Sequence, residues 1–262
     1  MNADNAITLA YILIEIAVIG LLFYRRIWRI LPIFCFYCIW DVVSNVAIYL
    51  IGLYSSQSGY FHAYFAETFI DSVWQFCVLV ELAWSVLRPV RASLPRSALF
   101  AVGALILLAG VVIWPFATFS ALAHAASRQW ILMLQLQRTV AILRILFFLL
   151  LTAGSQWLSI GWRDRELQVA TGLGFYSLAN IAVSVLESHQ STATQFVDLH
   201  EFVILSFICS LLYWLVSFSQ KQAERREFTP QMQSFLLAVA GGARTARTAM
   251  ADPRSGEPRR HD

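Results

Sequence analysis

The chain has 262 residues, 58% hydrophobic and 13% charged, with a net charge of +3. Soluble domains carry about 25% charged residues, and half that fraction over a whole chain leaves too little polar surface to face water. The composition excludes an ordinary water-soluble domain and leaves a polytopic membrane protein.

Seven apolar runs have the ~20-residue length that a helix needs to cross a ~30 Å hydrocarbon core. They cover approximately 7–24, 31–53, 62–87, 98–115, 130–152, 168–186 and 202–218. Barrel strands of about 10 alternating residues do not fit such runs. The expected fold is an all-α seven-transmembrane-helix bundle over residues 1–218. A tail at 219–248 with a short amphipathic helix follows, and then a disordered end at 249–262.

The first run follows MNADNA, which has no positive charge, and precedes Arg25, Arg26 and Arg29. That order is the reverse of a signal peptide and suits a span whose N-terminus lies outside. Within it Glu15 has Tyr11 one turn earlier. The second run begins with Cys35 and Cys38 in a C-F-Y-C and continues to Asp41, with Ser44 and Asn45 at i+3 and i+4. A redox-active thiol pair wants electropositive, accessible surroundings; the Phe, Tyr and Ile neighbours point instead to two small packing residues. No cysteine falls in an outer loop, so no extracytoplasmic disulfide is expected.

The third run places Glu67, Asp71, Trp74, Val78 and Glu81 at spacings of 4, 3, 4 and 3. At helical periodicity these fall on one stripe about 80° wide, giving three carboxylates at three depths. The fifth run, LQLQRTVAILRILFFLLLTAG, keeps Arg138 and Arg144 in its middle, with Gln137, Ala141, Arg144 and Phe148 on one face. The sixth has Ser177, Asn180, Ser184 and Glu187 on one face. An unpaired arginine at mid-bilayer costs about 3–10 kcal/mol. The fifth span is therefore expected to turn its arginines inward. Arg138 would meet Glu67 or Asp71, and Arg144 would meet Asp71, Asp41 or Glu81. Glu15, Asp41, Glu67, Asp71, Glu81, Arg138 and Arg144 thus make an expected buried charge network. It reads either as a static register lock or as a working polar pathway.

Of the 19 Lys and Arg residues, 16 lie in the first, third and fifth loops and the C-terminal tail, whereas the N-terminus and the other loops hold only Arg128. The positive-inside rule then gives N-terminus out and C-terminus in. Tyr54, Tyr60 and Trp130 suit the outer aromatic belt, and Trp28, Trp84 and Trp162 the inner one. These basic residues are orientation signals facing the bilayer, so no nucleic-acid partner is implied. In the tail, TPQMQSFLLAVAGG opens with Thr229 as N-cap and Pro230 at the first helical position, and Gly241 and Gly242 end it. Met232, Phe235, Leu236 and Val239 form one apolar stripe, expected to lie on the inner leaflet or against a protein surface. The 44 residues after the last span leave no room for a kinase, cyclase or DNA-binding domain.

His62, His124, His189 and His200 gather at or near the outer face, with Glu187, Asp198 and Glu201 close by. His62, His189 and His200 are the metal-ligand candidates, and imidazoles there could also respond to pH. There is no H-E-x-x-H, and interfacial histidines commonly serve as plain polar residues. No lysine lies in any span, which leaves a retinal Schiff base nowhere to form. There is no Walker A loop and no G-x-S-x-G elbow. Seven-helix zinc hydrolases need a histidine pair on the last span, where only His200 is found. No cofactor is expected.

Three stretches, VELAWSVLRPV, LQRTVAILRILFF and IGWRDRELQVATGLGFYSLANIAVSVLES, together resemble a group of uncharacterised bacterial, acidobacterial-type seven-helix membrane proteins. The resemblance covers about residues 7–220 and matches Glu81, Arg138, Arg144, Trp162 and Arg163 to recurring positions. It implies a bacterial inner membrane and supplies no activity.

Three functions compete. The favoured expectation is a sensory or signalling membrane module that reaches a cytoplasmic partner through its tail. The second is a small-solute or proton-coupled transporter using the carboxylates of spans one to three; no internal repeat of the usual transporter kind is visible. The third is a membrane enzyme with the outer histidines as a metal site.

Overall fold

A computed structural model describes residues 3–87, 97–117, 128–154, 164–187 and 193–220, and all regular structure among them is helical. Seven helices run α1 (Ala3–Tyr24), α2 (Pro32–Tyr54), α3 (Gln57–Val86), α4 (Ala98–Ile113), α5 (Arg128–Gly154), α6 (Arg165–Glu187) and α7 (Ala193–Ser219). Short 3-10 turns follow α1 (Ile27–Arg29) and α4 (Trp114–Ala117). Six of them, α2 to α7, are long and apolar enough to cross a membrane; in α1 the apolar stretch is the shorter Ala10–Tyr24. This is the architecture of a multi-pass membrane protein. The expected tail helix, the end at 249–262, and His124 and His189 lie outside the described residues, as does the side chain of His200.

Several helices outrun the apolar segments that announce them. The 30 residues of α3 make a rod about 45 Å long, well beyond a ~30 Å hydrocarbon core. Its start is fixed by Ser56, whose hydroxyl accepts from the Gly59 N–H at 3.3 Å. The reversal from α1 to α2 needs a left-handed residue, and Arg26 supplies it at φ 56°. Pro32 then opens α2 with its φ already helical.

Successive helices alternate in direction, and the contacts at one end of the bundle make this plain. Arg25, at the end of α1, donates to the carbonyl of Ser219 at the end of α7. Glu81, late in α3, accepts from the backbone of Ile33 and Phe34 at the start of α2. Ser85, also late in α3, donates to Glu166 at the start of α6 at 2.6 Å. This arginine-bearing end is called the basal end below.

The apolar core concentrates at the basal end. Phe34, Trp214, Phe218, Leu22, Leu31, Leu82, Leu167 and Leu211 are all fully buried. The Phe34 ring meets Trp214 edge-on at 5.1 Å and Phe218 at 6.3 Å. α6 reaches both neighbours at close range through two glycines. A Cβ on Gly172 would fall 2.3 Å from Trp214 Nε1, and one on Gly174 would fall 2.9 Å from Phe148 Cβ. With those positions bare, Ser210 Oγ reaches the Gly172 carbonyl at 3.0 Å and Trp214 Nε1 the Gln168 carbonyl at 3.1 Å. Small residues at a helix contact are what close packing in a bilayer requires, since lipid offers no hydrophobic drive between helices.

The outward faces carry an apolar belt that includes Leu13, Phe36, Val43, Phe69, Leu105, Leu108, Val111, Leu150 and Phe175. α4 stands apart from the rest, with none of its 16 residues buried.

Candidate functional site

Glu15, Asp41, Asp71 and Arg144 come together on the inner faces of α1, α2, α3 and α5. On α1, helical spacing sets Tyr11 and Glu15 one above the other. Glu15 is 1% exposed, and its carboxyl lies beside that of Asp41 on α2. Tyr11 donates its hydroxyl to Asp41 Oδ2 at 2.7 Å. Asn45, one turn beyond Asp41, donates its amide to the Tyr11 oxygen at 3.0 Å and to the Asp41 carbonyl at 2.8 Å. The Ser44 hydroxyl donates to the same carbonyl at 3.1 Å. The i+3 and i+4 polar residues of the sequence thus brace Asp41 and its phenolic donor.

α3 presents Asp71 to this group. Its Oδ2 accepts from the Gln75 amide at 2.6 Å, which also reaches the Tyr37 hydroxyl at 3.5 Å. Its Oδ1 is buried and has no hydrogen-bond partner from the protein. Glu67, one turn earlier, is half-buried and takes a long 3.5 Å contact from the Thr68 hydroxyl. Its charge and that of Asp41 both act on Asp71.

α5 brings in Arg144, 3% exposed. The guanidinium packs 5.4 Å from the ring centre of Tyr176 on α6, a cation–π contact of about 0.5–2 kcal/mol. Its charge acts on Asp71, Tyr37 and Tyr176. Arg144 Nε and Nη1 nonetheless have no hydrogen-bond partner from the protein. The arginine and the aspartate face one another without a bond between these nitrogens and Asp71 Oδ1. Phe207 of α7 closes the ring, 4.9 Å from Tyr176 and 5.6 Å from Tyr11. Six helices therefore contribute to one polar and aromatic group: Tyr11, Glu15, Tyr37, Asp41, Asp71, Gln75, Arg144, Tyr176 and Phe207.

One expected member stands elsewhere. Glu81 is buried at the basal end, where its two carboxylate oxygens accept from Ile33 N at 2.7 Å and Phe34 N at 2.8 Å. It caps α2 from a neighbouring helix, because Leu31 at the N-cap has no side chain able to do so. Arg138 lines a narrow crevice with Gln137 and Ala141 of its own helix and Asn180, Ile181 and Ser184 of α6.

Sequence reasoning missed Tyr37, Gln75, Tyr176 and Phe207. Gln75 carried a signal, standing four residues beyond Asp71 on the same face. Arg165 corrects a different expectation, since charge counting places it in the fifth loop. It is the first residue of α6 and 4% exposed. Its guanidinium donates to Gln168 Oε1 at 3.0 Å and to the carbonyls of Ser217 at 3.0 Å, Phe218 at 3.5 Å and Gln220 at 3.0 Å. Together with Arg25 it satisfies carbonyls at the C-terminal end of α7, where cations are favoured by the helix dipole.

Among the candidate metal ligands, His62 is exposed on α3. Cys35 and Cys38 are free and buried. Comparison of the chain with protein-family models, with curated proteins and with solved structures finds no match.

Proposed function

We propose that the chain is a seven-helix sensory or signalling module of the bacterial inner membrane, with its N-terminus outside and its C-terminus inside. The polar group between the helices is the part that changes state. α7 carries the change to the basal end, and the C-terminal segment passes it to a cytoplasmic partner.

The observation that carries this reading is the seal beneath the polar group. On α1, α2, α3, α6 and α7, fully buried apolar residues lie between the group and the basal end: Leu22, Phe34, Leu82, Leu167, Trp214 and Phe218; on α5 Leu151, 3% exposed, takes that place. A plug of this kind opposes a continuous route for solute and favours transmission through packed side chains. The group itself is poised rather than locked, with Asp71 Oδ1 and Arg144 Nε and Nη1 left unbonded by protein. A charge pair held apart inside a low-dielectric bundle responds strongly to any change at either member. Phe207 touches the group, and twelve residues later the same helix ends under Arg25 and Arg165. That span is about 18 Å.

Two observations support counting α1 as a seventh crossing and the N-terminus as outside. α1 packs alongside the other helices from Tyr11 to Arg25. Among the described residues, Arg25, Arg26, Arg29 and Arg165 stand at the end where α1 and α7 finish. The resemblance noted above supports the inner membrane.

The test is hydrogen exchange on the protein in lipid nanodiscs, comparing wild type with Asp71→Asn, together with proton flux in vesicles. The reading expects altered protection at residues 214–220, far from the substitution, and no flux. Changes confined to α3 and its direct neighbours would overturn the sensory reading. Proton flux abolished by Asp71→Asn would replace it with the transporter.

A further inference from the structure

The space between α4 and the bundle forms two adjoining clefts. The first has a volume of about 650 Å³ and is lined by Arg29, Ile33, Phe76, Glu81, Trp84 and Gly103, among others. The second is about 480 Å³ and is lined by Phe69, Phe76, Leu107, Trp114 and Leu143, among others. Phe76 and Leu107 border both, so the two lie end to end along α4. Each volume lies within the ~300–1,000 Å³ of small-molecule sites.

The chemistry of the lining is graded. In the second cleft the only hydroxyls belong to Ser72 and Thr139, and both are spent on their own helices, donating to the Thr68 and Gln135 carbonyls at 2.8 Å. That cleft is apolar in effect. In the first, the Glu81 carboxylate is occupied by two backbone N–H groups, and the Ser85 hydroxyl by Glu166. Arg29 differs. It stands exposed at the basal mouth, stacked 5.4 Å from the Trp28 ring, with no acidic partner among the described residues. One exposed cation, without an acidic partner among the described residues, thus stands at the mouth of a long and mainly apolar channel. Along α4 the channel runs from Leu99 to Trp114, about 23 Å, more than the ~15 Å of one leaflet.

We infer that this channel is a binding site for an anionic phospholipid. Its phosphate sits at Arg29, and one acyl chain lies between α3, α4 and α5. A headless hydrocarbon would leave Arg29 unmatched. A soluble anion would make no use of the apolar walls, and the channel opens among apolar side chains that face lipid. α4, which buries no residue of its own, is the wall best able to move as the chain enters.

Native mass spectrometry tests this on full-length protein in detergent carrying equal phosphatidylglycerol and phosphatidylcholine. The wild type should retain phosphatidylglycerol over phosphatidylcholine by about fivefold, as expected for one basic contact. Arg29→Gln should bring the ratio to about one. Arg26→Gln, which alters an exposed arginine outside the lining, should leave it unchanged and so separates a site from the general attraction of basic loops. A Cβ at Gly103 would have 4.0 Å of clearance from Val80, so Gly103→Leu should fold and fill the channel, lowering retention of both lipids severalfold. Equal retention of the two lipids by wild type would overturn the proposal. So would equal effects of Arg29→Gln and Arg26→Gln. Retention unchanged by Gly103→Leu would mean that the lipid is merely annular, and would overturn it as well.

Discussion

Glu81 illustrates how a membrane carboxylate can serve structure alone. α2 opens on Pro32, which has no N–H, and the Leu31 N–H is taken by the Ile27 carbonyl, so the N–H groups without backbone partners at this helix start are those of Ile33 and Phe34. Both are met by the two oxygens of one side chain, 48 residues after Ile33 and 47 after Phe34. Hydrogen bonds to charged groups contribute about 1.5–3 kcal/mol each. Glu81→Ala should therefore lower the thermal midpoint by several degrees in detergent. Glu81→Gln, which keeps one acceptor oxygen, should fall between the two. A midpoint unchanged in Glu81→Ala would remove the cap from the account. Nothing in the local sequence announces this bond. Periodicity put Glu81 on the inner face of α3, but which helix start it would meet depends on how α2 and α3 are staggered. Arg165 escaped for the opposite reason. Charge counting treats every arginine near a span end as exposed, and it has no way to recognise one folded back onto the carbonyls of α7.

At the scale of helices, the contacts of α6 depend on residues that are absent as much as on those present. Gly172 and Gly174 point to opposite sides, one toward Trp214 and the other toward Phe148. A side chain at either would drive the neighbouring helix away, and at Gly172 it would break the bonds from Ser210 and Trp214 that follow from the close approach. Overpacking commonly costs about 1–3 kcal/mol. Gly172→Val should accordingly destabilise the protein in that range, whereas Gly103→Val, in an open lining, should be nearly neutral. Equal melting curves for the two variants would contradict the packing described. The existence of each helix was legible in the sequence, because a long apolar run in a bilayer admits little else. The inward stripe of Asp71 was legible too, from its 3.6-residue period. The aromatic partners Tyr37, Tyr176 and Phe207 were not, since among so many apolar residues an aromatic ring gives no sign of which neighbour it will touch.

For the molecule as a whole, the proposed orientation puts the C-terminal ends of α1, α3 and α7 inside. Among the described arginines, Arg25, Arg26, Arg29 and Arg165 stand at the end where α1 and α7 finish and α2 and α6 begin. Alkaline phosphatase fused at Ser56 should then be active, and fused at Pro95 inactive; the reverse pattern would invert the proposed orientation. Within that frame, the polar group binds six helices into one electrostatic unit above an apolar seal, and the sensory reading rests on Arg144 and Asp71 acting together. The most direct measurement is a thermodynamic cycle on Arg144→Leu, Asp71→Asn and the double variant, read as unfolding free energy in detergent. Arg144→Leu alone should be strongly destabilising, because it leaves carboxylates buried without their cation. Adding Asp71→Asn should recover part of that loss, with a coupling of about 0.5–3 kcal/mol. Losses that simply add, to within about 0.5 kcal/mol, would contradict the claim that these two residues belong to one interacting group.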